Sequence, residues 1–297
     1  ALRSNPASSP EEAEVMVARG FAKVSIAGAG MIGRPGIAAQ MFKTLANAGV
    51  NIQLISTSEV KVSCAIDAQD CDKAIAALCE TFAINSSPIT LAARAEAINK
   101  KQEDTSERVH EDVSATLSAS PRVSLAASSA PVRGVALDLN QARLAIRYVP
   151  DRPGMAAQIF GLLAEQNISV DMIIQSQRCR VIDGIPRRDI AFTVSQADAQ
   201  IAQIALQQAL PTLGYGEVLL DPDIAKVSVV GAGMIGQPGV AARMFDALAQ
   251  HKINIQMITT SEIKISCVVA QPDGVTALQA IHNAFGLAGS NKIQVPA

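Results

Sequence analysis

The chain has 297 residues, enough for two to four small domains, and 49% of them are hydrophobic. A formal net charge of −2, an aromatic content of 3% and the lack of tryptophan argue against a nucleic-acid or anionic-membrane partner. No apolar run of about 18 residues occurs. Five cysteines without a C-x-x-C spacing predict reduced, buried thiols in a cytoplasmic protein, with neither a disulfide framework nor a metal site.

An internal repeat organises the sequence. Residues 22–64 return as residues 225–267 at a constant offset of 203, without a gap. A weaker copy occupies residues 142–177 and shares the pattern P-G-x-A-A-x-x-F. We call these the first (22–64), second (142–177) and third (225–267) repeats, and expect three copies of one structural unit.

Each repeat predicts the same elements in the same order. An alternating strand such as "KVSV" leads into a glycine loop closed by Pro-Gly, with Pro238 expected in the first turn of a helix. The amphipathic helix ends in the first repeat at Gly49, a predicted C′ stop. A second strand, the turn "TSE", a third strand, a second helix and a short last strand ("IQVPA" at the chain end) follow. The prediction is a ferredoxin-like βαββαβ fold of the α+β class, with antiparallel sheets.

The string "GAGMIG" at residues 28–33 and 231–236 matches the dinucleotide fingerprint G-x-G-x-x-G. A Rossmann unit needs its helix to begin at the glycine loop and its second strand to enter a crossover. Here Pro-Gly delays the helix, the second strand turns straight into a third, and the second repeat has "YVPDRPG" instead. A nicotinamide-dependent oxidoreductase is therefore the least favoured alternative.

The blocks "VPDRPGMAAQIF", "NISVDMIIQS", "DIAFTV", "AKVSVVGAGMIGQPGVAARMF" and "INIQMITTSEIKISCVV" carry a family resemblance. Their order resembles the C-terminal regulatory region of aspartate kinase, a tandem of ACT domains, over about 135–287 and again over 14–85. It resembles the type with four ACT domains in two pairs. The family's kinase domain has no counterpart, and the alignment of 13–26 with 216–229 predicts a start inside an ACT domain.

The resemblance implies this division: remnant 1–13, ACT domain 14–97, Ser/Ala-rich linker 98–133, ACT domain 134–222 and ACT domain 223–297. It implies an allosteric region that binds L-lysine and/or L-threonine at ACT–ACT interfaces and feedback-inhibits aspartate kinase. The resemblance further implies that the chain forms a homodimer through its ACT domains. It also implies a kinase domain, either in cis or in a partner chain. The chain itself would have no catalytic residues and no cofactor, since ATP and Mg belong to the kinase domain. A ligand-free ACT dimerisation module is the alternative.

The resemblance also assigns effector-binding residues. The main site comprises Asp151, Gly154, Met155, Ala156 and Gln175, facing Asn254 and Ile255. A pseudo-symmetric site comprises Met234, Ile235, Gly236 and Gly239, facing Ser169, Val170 and Asp171, with Ser261 and Glu262 as additions. A third site, expected to be incomplete for want of a partner domain, comprises Met31, Ile32, Gly33, Gly36, Asn51 and Ile52.

The chemistry of these residues suits a free amino acid. Backbone N–H groups at a helix N-terminus bind a carboxylate, and Asp151 can accept from an α-ammonium. Asp171 suits a lysine ammonium, and the amides of Gln175 and Asn254 both donate and accept. The alternatives are structural: turn residues for the two asparagines, a helix cap for Asp151 and core contacts for Met31 and Met234. As a loop residue, Asp151 is expected to tolerate replacement by alanine without loss of the fold.

Overall fold

The computed structural model describes residues 19–28, 34–58, 61–84, 132–176, 179–231, 234, 237–261 and 263–287. These fall into two compact units. Unit 1 combines Ala1–Ala74 with Ala142–Pro222, and unit 2 combines Ile75–Gln141 with Asp223–Ala297. The first and second repeats therefore belong to unit 1, and the third belongs to unit 2. The predicted remnant 1–13, the strand "IQVPA" and nearly all of the predicted linker lie outside the described residues.

The described helices and strands follow one another in this order: β1 (Phe21–Ala27), α1 (Ile37–Asn47), β2 (Leu54–Ser58), β3 (Lys61–Asp67), α2 (Cys71–Thr81), β4 (Gly134–Pro150), α3 (Met155–Glu165), β5 (Val170–Gln175), β6 (Arg180–Ile182), β7 (Ile185–Ser195), α4 (Gln196–Leu213), β8 (Glu217–Val230), α5 (Val240–Gln250), β9 (Met257–Thr260), β10 (Lys264–Ala270) and α6 (Gly274–Ala284). Short 3-10 turns precede α2 and α6. None of the helices described is long and apolar enough to cross a membrane.

In unit 1 the strands lie in the order β1-β3-β2-β5-β7-β4. The pairs β1–β3, β3–β2, β2–β5 and β5–β7 are antiparallel. Strand β2 of the first repeat thus lies beside β5 of the second, and helix α1 packs against α3. Phe42 on α1 and Phe160 on α3 are in ring contact at 5.4 Å between centroids, and Phe160 also contacts Phe192 on β7 at 5.3 Å. The two repeats therefore share one sheet and one layer of helices.

In unit 2 the order is β4-β8-β10-β9, and the pairs β8–β10 and β10–β9 are antiparallel. Helix α5 packs with α6 over a core that includes Met244, Leu248 and Cys267. Only the first part of β4 belongs to this unit, where its apolar side chains pack against that core. Residues 134–141 therefore lie with the third repeat, whereas the sequence division assigned them to the domain 134–222.

The α+β class and the antiparallel βαββ order are confirmed, and this order excludes a parallel Rossmann sheet. Gly49 has φ 69° directly after α1, as expected for a C′ residue. The placement of Pro238 is wrong, because α5 begins at Val240 and its N-cap Gly239 has φ 93°. Gly36 and Gly154 cap α1 and α3 with φ 95° and 93°, so a left-handed glycine precedes the helix in every repeat.

Candidate functional site

A cleft in unit 1 lies between the loop that precedes α3 and the segment that precedes β2. It encloses about 390 Å³ of non-atom space, part of it open to solvent. Its walls come from both repeats: Asn51 and Ile52 belong to the first, and residues 149–157 belong to the second. Helix α1 contributes Phe42, and strand β7 contributes Arg188. Neither repeat alone encloses this space.

The N-terminus of α3 forms one wall of the cleft. Gly154, in its left-handed conformation, caps the helix without a side-chain hydrogen bond. Met155 N donates to Arg152 O at 3.4 Å, and Met155 and Ala156 are buried residues that line the cleft. The first backbone N–H groups of a helix have no intrahelical acceptor and carry the positive end of the helix dipole. This wall therefore favours an anionic group.

Asp151 lies at the centre of a charged network. Its Oδ2 is 2.7 Å from Nε of Arg188, and Nδ2 of Asn51 donates to its Oδ1 at 3.2 Å. The side chains of Asp151 and Arg188 are only 10% and 14% exposed. Arg188 also donates to the Oε1 and backbone O of Gln53, at 3.1 and 3.4 Å. The network joins a loop of the second repeat and strand β7 to the first repeat.

Gln175, at the end of β5, makes a second polar connection between the repeats. It is a buried polar side chain, 8% exposed, and its Nε2 donates to the backbone O of Ile52 at 3.4 Å. Both residues line the cleft. Asp151, Gly154, Met155, Ala156 and Gln175 are thus brought together as the sequence predicted.

Within unit 1 these residues have polar partners other than the predicted ones. Asn51 and Ile52, not Asn254 and Ile255, bond to Asp151 and Gln175. Asn254 is exposed in unit 2, and Ile255 packs partly against the core of that unit. The string "NIQ" occurs at both 51–53 and 254–256, so the repeat itself hides which copy supplies the partner.

Two residues predicted for the third site, Asn51 and Ile52, lie in the unit 1 cleft. Asn51 and Ile52 line the cleft with the second repeat, and Gly36 lies against the second repeat, where a Cβ would be 3.6 Å from Ala164 Cβ. The remaining residues predicted for that site, Met31, Ile32 and Gly33, lie outside the described part of the chain.

The residues of the predicted pseudo-symmetric site belong to different units, some to unit 1 and the others to unit 2. Ser169, Val170 and Asp171 lie at the start of β5, where Thr57 Oγ1 donates to Asp171 O at 3.0 Å. Ile173 N donates to the same hydroxyl at 2.8 Å. Within unit 1 the neighbour of these residues is therefore the first repeat. The first repeat's loop at residues 29–33 is not among the described residues.

The other members of that predicted site belong to unit 2. Met234 is 9% exposed and belongs to the core cluster of unit 2. This is the core contact that the sequence offered as the alternative to effector binding. Gly239 caps α5, and Ser261 Oγ donates to Lys264 O at 3.2 Å within the β9–β10 turn. Ile235, Gly236 and Glu262 fall outside the described residues.

Three residues that connect the repeats were not predicted from the sequence: Arg188, Gln53 and Thr57. Arg188 belongs to "PRRD" in a strand, and alternation alone does not say which of two adjacent arginines faces a neighbouring repeat. A signal was present for Gln53 and Thr57, because both recur in the third repeat as Gln256 and Thr260.

Among the residues that the structure describes, no group of three His, Cys, Asp or Glu side chains could hold a metal ion. Burial raises the pKa of Cys64, and that of Cys267 to about 12, so both thiols stay protonated near neutral pH. Protonated, buried thiols are poor nucleophiles. The polar groups that line the cleft are the N-terminus of α3, the carboxylate of Asp151, the guanidinium groups of Arg152 and Arg188, and the amides of Asn51 and Gln175.

Comparison with known proteins agrees with this architecture. A family model described as ACT domain matches residues 24–82, 147–210 and 227–285. The chain is 47% identical over 161 residues to an aspartokinase of Thermus thermophilus, which covers 52% of this chain and 38% of the relative. It is 44% identical over 156 residues to an aspartokinase of Pseudomonas aeruginosa, which covers 52% of this chain and 37% of the relative.

The crystal structure of aspartate kinase from Synechocystis resembles the chain with a TM-score of 0.79 and 54% identity. The match covers 100% of this chain and 44% of that one, so the chain spans less than half the length of each of these three aspartokinases. Three repeats match the ACT model, and these relatives are aspartokinases. The chain therefore belongs to the ACT-domain family and is a homologue of the ACT-containing part of aspartokinases.

Proposed function

We propose that the chain is an allosteric regulatory region of an aspartate kinase, and that it binds a free amino acid, L-lysine or L-threonine, in the unit 1 cleft. The observation that carries the proposal is the composition of that cleft. A helix N-terminus, a buried Asp151–Arg188 pair and two amides converge in one open space that two ACT repeats enclose together. We infer the activity that would be regulated, aspartate kinase, from the aspartokinase relatives.

The groups of the cleft complement the two charges of an amino acid. The N–H groups at the start of α3 would bind the α-carboxylate. Asp151 accepts one bond at each oxygen in the network described, and a carboxylate has about four acceptor positions, so it can also accept from an α-ammonium. The amides of Asn51 and Gln175 can address a side-chain hydroxyl or ammonium.

Regulation would work by population shift. A ligand that touches both repeats binds best in one arrangement of the pair, and it favours that arrangement by its difference in affinity. The kinase domain, in cis or in a partner chain, would bind ATP and Mg and would be less active in the favoured arrangement. Coupling of this kind is reciprocal, so substrates of the kinase would weaken effector binding by the same factor.

Isothermal titration of the whole chain with lysine and with threonine tests the proposal. Asp151→Asn keeps the size of the side chain and removes its charge, and a hydrogen bond to a charged group contributes about 1.5–3 kcal/mol, or about 10- to 100-fold in affinity. The matched control is Asp221→Asn, because Asp221 is also in an arginine pair of unit 1 but does not line the cleft.

We expect the first variant to bind at least about tenfold more weakly than wild type and the control to bind normally. Absence of heat with both amino acids at millimolar concentration would leave the ligand-free dimerisation module as the better account. Equal affinities of the two variants would refute the role of Asp151.

A further inference from the structure

Tyr148, near the end of β4, has a backbone conformation that its place in a strand does not explain. Its φ is 60°, in the left-handed region that bulky side chains rarely adopt. Four other non-glycine residues in the described part of the chain have a positive φ, after a helix end or in the β6–β7 turn, where this is usual. They are Ala83, Asn167, Asp183 and Lys252. The surroundings of Tyr148 must therefore impose its conformation.

Side chains of β7 hold both polar groups of the Tyr148 backbone. Tyr148 N donates to Oδ1 of Asp189 at 3.0 Å, and Nη1 of Arg187 donates to Tyr148 O at 2.9 Å. The same Nη1 donates to Gly214 O at 2.6 Å, while the Nε of Arg187 is buried and has no hydrogen-bond partner among the described residues. A buried donor without a partner costs free energy, which the bonds to these two carbonyl groups must offset.

The ring of Tyr148 is held as well. The guanidinium groups of Arg147 and Arg180 lie over it, at 5.0 and 5.5 Å from its centroid. The ring also lies against Gly216, where an added Cβ would be 2.6 Å from its Cδ2. Backbone bonds and ring contacts together fix Tyr148 from several sides, as a strained residue requires.

Tyr148 leads directly into the loop of the candidate site. Residues 149–157 line the cleft, whereas Tyr148 and the two β7 side chains that hold it do not. Further along, Asp151 N donates to Pro186 O at 2.8 Å, and Asp151 Oδ2 pairs with Arg188. Four consecutive residues of β7 thus hold the chain at Tyr148 and again at Asp151. The direction in which the chain leaves Tyr148 decides where Asp151 and the start of α3 lie.

We propose that Tyr148 is a positioning residue for the amino-acid site, an inference that rests on the proposed function. Asp189 and Arg187 keep Tyr148 left-handed, and this conformation places the loop that follows for binding. Without those bonds Tyr148 relaxes to a negative φ and the loop moves, because a left-handed conformation is unfavourable for a residue with a Cβ. The site is then competent in only a fraction of the molecules, and the affinity falls by that fraction.

The test removes the hydrogen bond and then the need for it. Asp189→Ala takes away the acceptor of Tyr148 N, and titration calorimetry of the whole chain with lysine and with threonine should show binding at least about fivefold weaker. Addition of Tyr148→Gly to Asp189→Ala should restore the affinity to within about twofold of wild type, because glycine adopts a positive φ readily. Addition of Tyr148→Ala is the matched control, since it removes the same ring but keeps a Cβ, and its binding should stay weak.

Asp189→Asn separates the hydrogen bond from the charge. Its amide oxygen can still accept from Tyr148 N, whereas the ion pair with Arg180 at 3.9 Å is lost, so we expect normal binding. If Asp189 only stabilised the fold, the glycine and alanine double variants would bind alike. Equal affinities of these two variants would overturn the proposal, as would wild-type affinity of Asp189→Ala.

Hydrogen exchange measures the position of the loop without a ligand. Asp151 N donates to Pro186 O, so the peptide 149–155 should exchange faster in Asp189→Ala and in its alanine double variant, and at the wild-type rate in the glycine double variant. If wild type binds neither amino acid, the proposed function fails, and this measurement still decides whether Tyr148 positions the loop.

A second pair of variants covers the case in which Asp189→Ala does not fold. Tyr148→Gly and Tyr148→Ala are then compared with Asp189 in place. We expect faster exchange of the peptide 149–155 in the alanine variant, because only that variant keeps the unfavourable left-handed Cβ. Equal rates in the two variants would overturn the proposal.

Discussion

Replacement of Asp151 by alanine is the sharpest test of the site's energetics. Its carboxylate lies 2.7 Å from the Arg188 guanidinium, and both side chains are at least 86% buried, being 10% and 14% exposed. Removal of one partner of a buried pair costs about 3–5 kcal/mol, because the other charge stays desolvated. Arg188 keeps its two bonds to Gln53, so we expect a loss near the lower end, about 3 kcal/mol. The sequence alone predicts that Asp151→Ala is tolerated, because Asp151 lies in a loop. The buried pair with Arg188 predicts instead that this substitution destabilises the protein.

The assay is urea denaturation followed by thiol labelling of the wild-type cysteines. Cys64 is buried in unit 1 and Cys267 is buried in unit 2, so each reports the unfolding of its own unit. The loss should appear in Cys64 labelling and leave Cys267 labelling unchanged.

Asp221→Ala is the matched control for this substitution. Asp221 pairs with Arg143 at 2.8 Å, but these side chains are 34% and 28% exposed. A partly exposed pair contributes about 0–1 kcal/mol. If Asp151→Ala costs no more than Asp221→Ala, the Asp151–Arg188 pair is not the buried pair that the geometry implies.

Three further predictions concern packing, thiol accessibility and protonation. Gly216→Ala should cost about 1–3 kcal/mol in urea denaturation, because the new Cβ would lie 2.6 Å from Cδ2 of Tyr148; a neutral effect would contradict this contact. In the native protein at pH 8, Cys179 should react at once with a thiol reagent, and Cys64 and Cys267 only upon unfolding, as mapped by mass spectrometry. Burial raises the pKa of Cys267 from 9.0 to about 12, so its thiol loses its proton first in the unfolded state. The contribution of this thiol to stability should be constant below pH 9 and be lost between pH 9 and 12, and Cys267→Ser should make the fall in that range shallower.

Much of the fold could be read from the sequence, because each element has a local signature. The alternation in "KVSV", the apolar spacing of the helices and Gly49 at a helix end are properties of neighbouring residues, and they gave the correct βαββ order. The prediction for Pro238 failed because the glycine of a Pro-Gly pair can itself be the left-handed N-cap, which places the proline before the helix. The family resemblance assigned five residues that line the cleft, and they lie on the loop before α3, its first turn and the end of β5.

The pairing of repeats could not be read in the same way. Asn51 and Asn254 stand in identical strings, so local sequence does not say which of the two copies bonds to Asp151. Arg188 was missed because its role depends on a contact with Gln53, which is 135 residues away in sequence. Residues 134–141 belong to unit 2 and the rest of β4 belongs to unit 1, a division within one strand that local sequence does not mark.

The central claim is that a free amino acid binds between the first two repeats. A crystal structure grown with both lysine and threonine tests it most directly. We predict an amino acid in the unit 1 cleft, with its carboxylate at the N-terminus of α3 and its ammonium at Asp151. An empty cleft in a crystal that holds lysine or threonine elsewhere on the protein would contradict it.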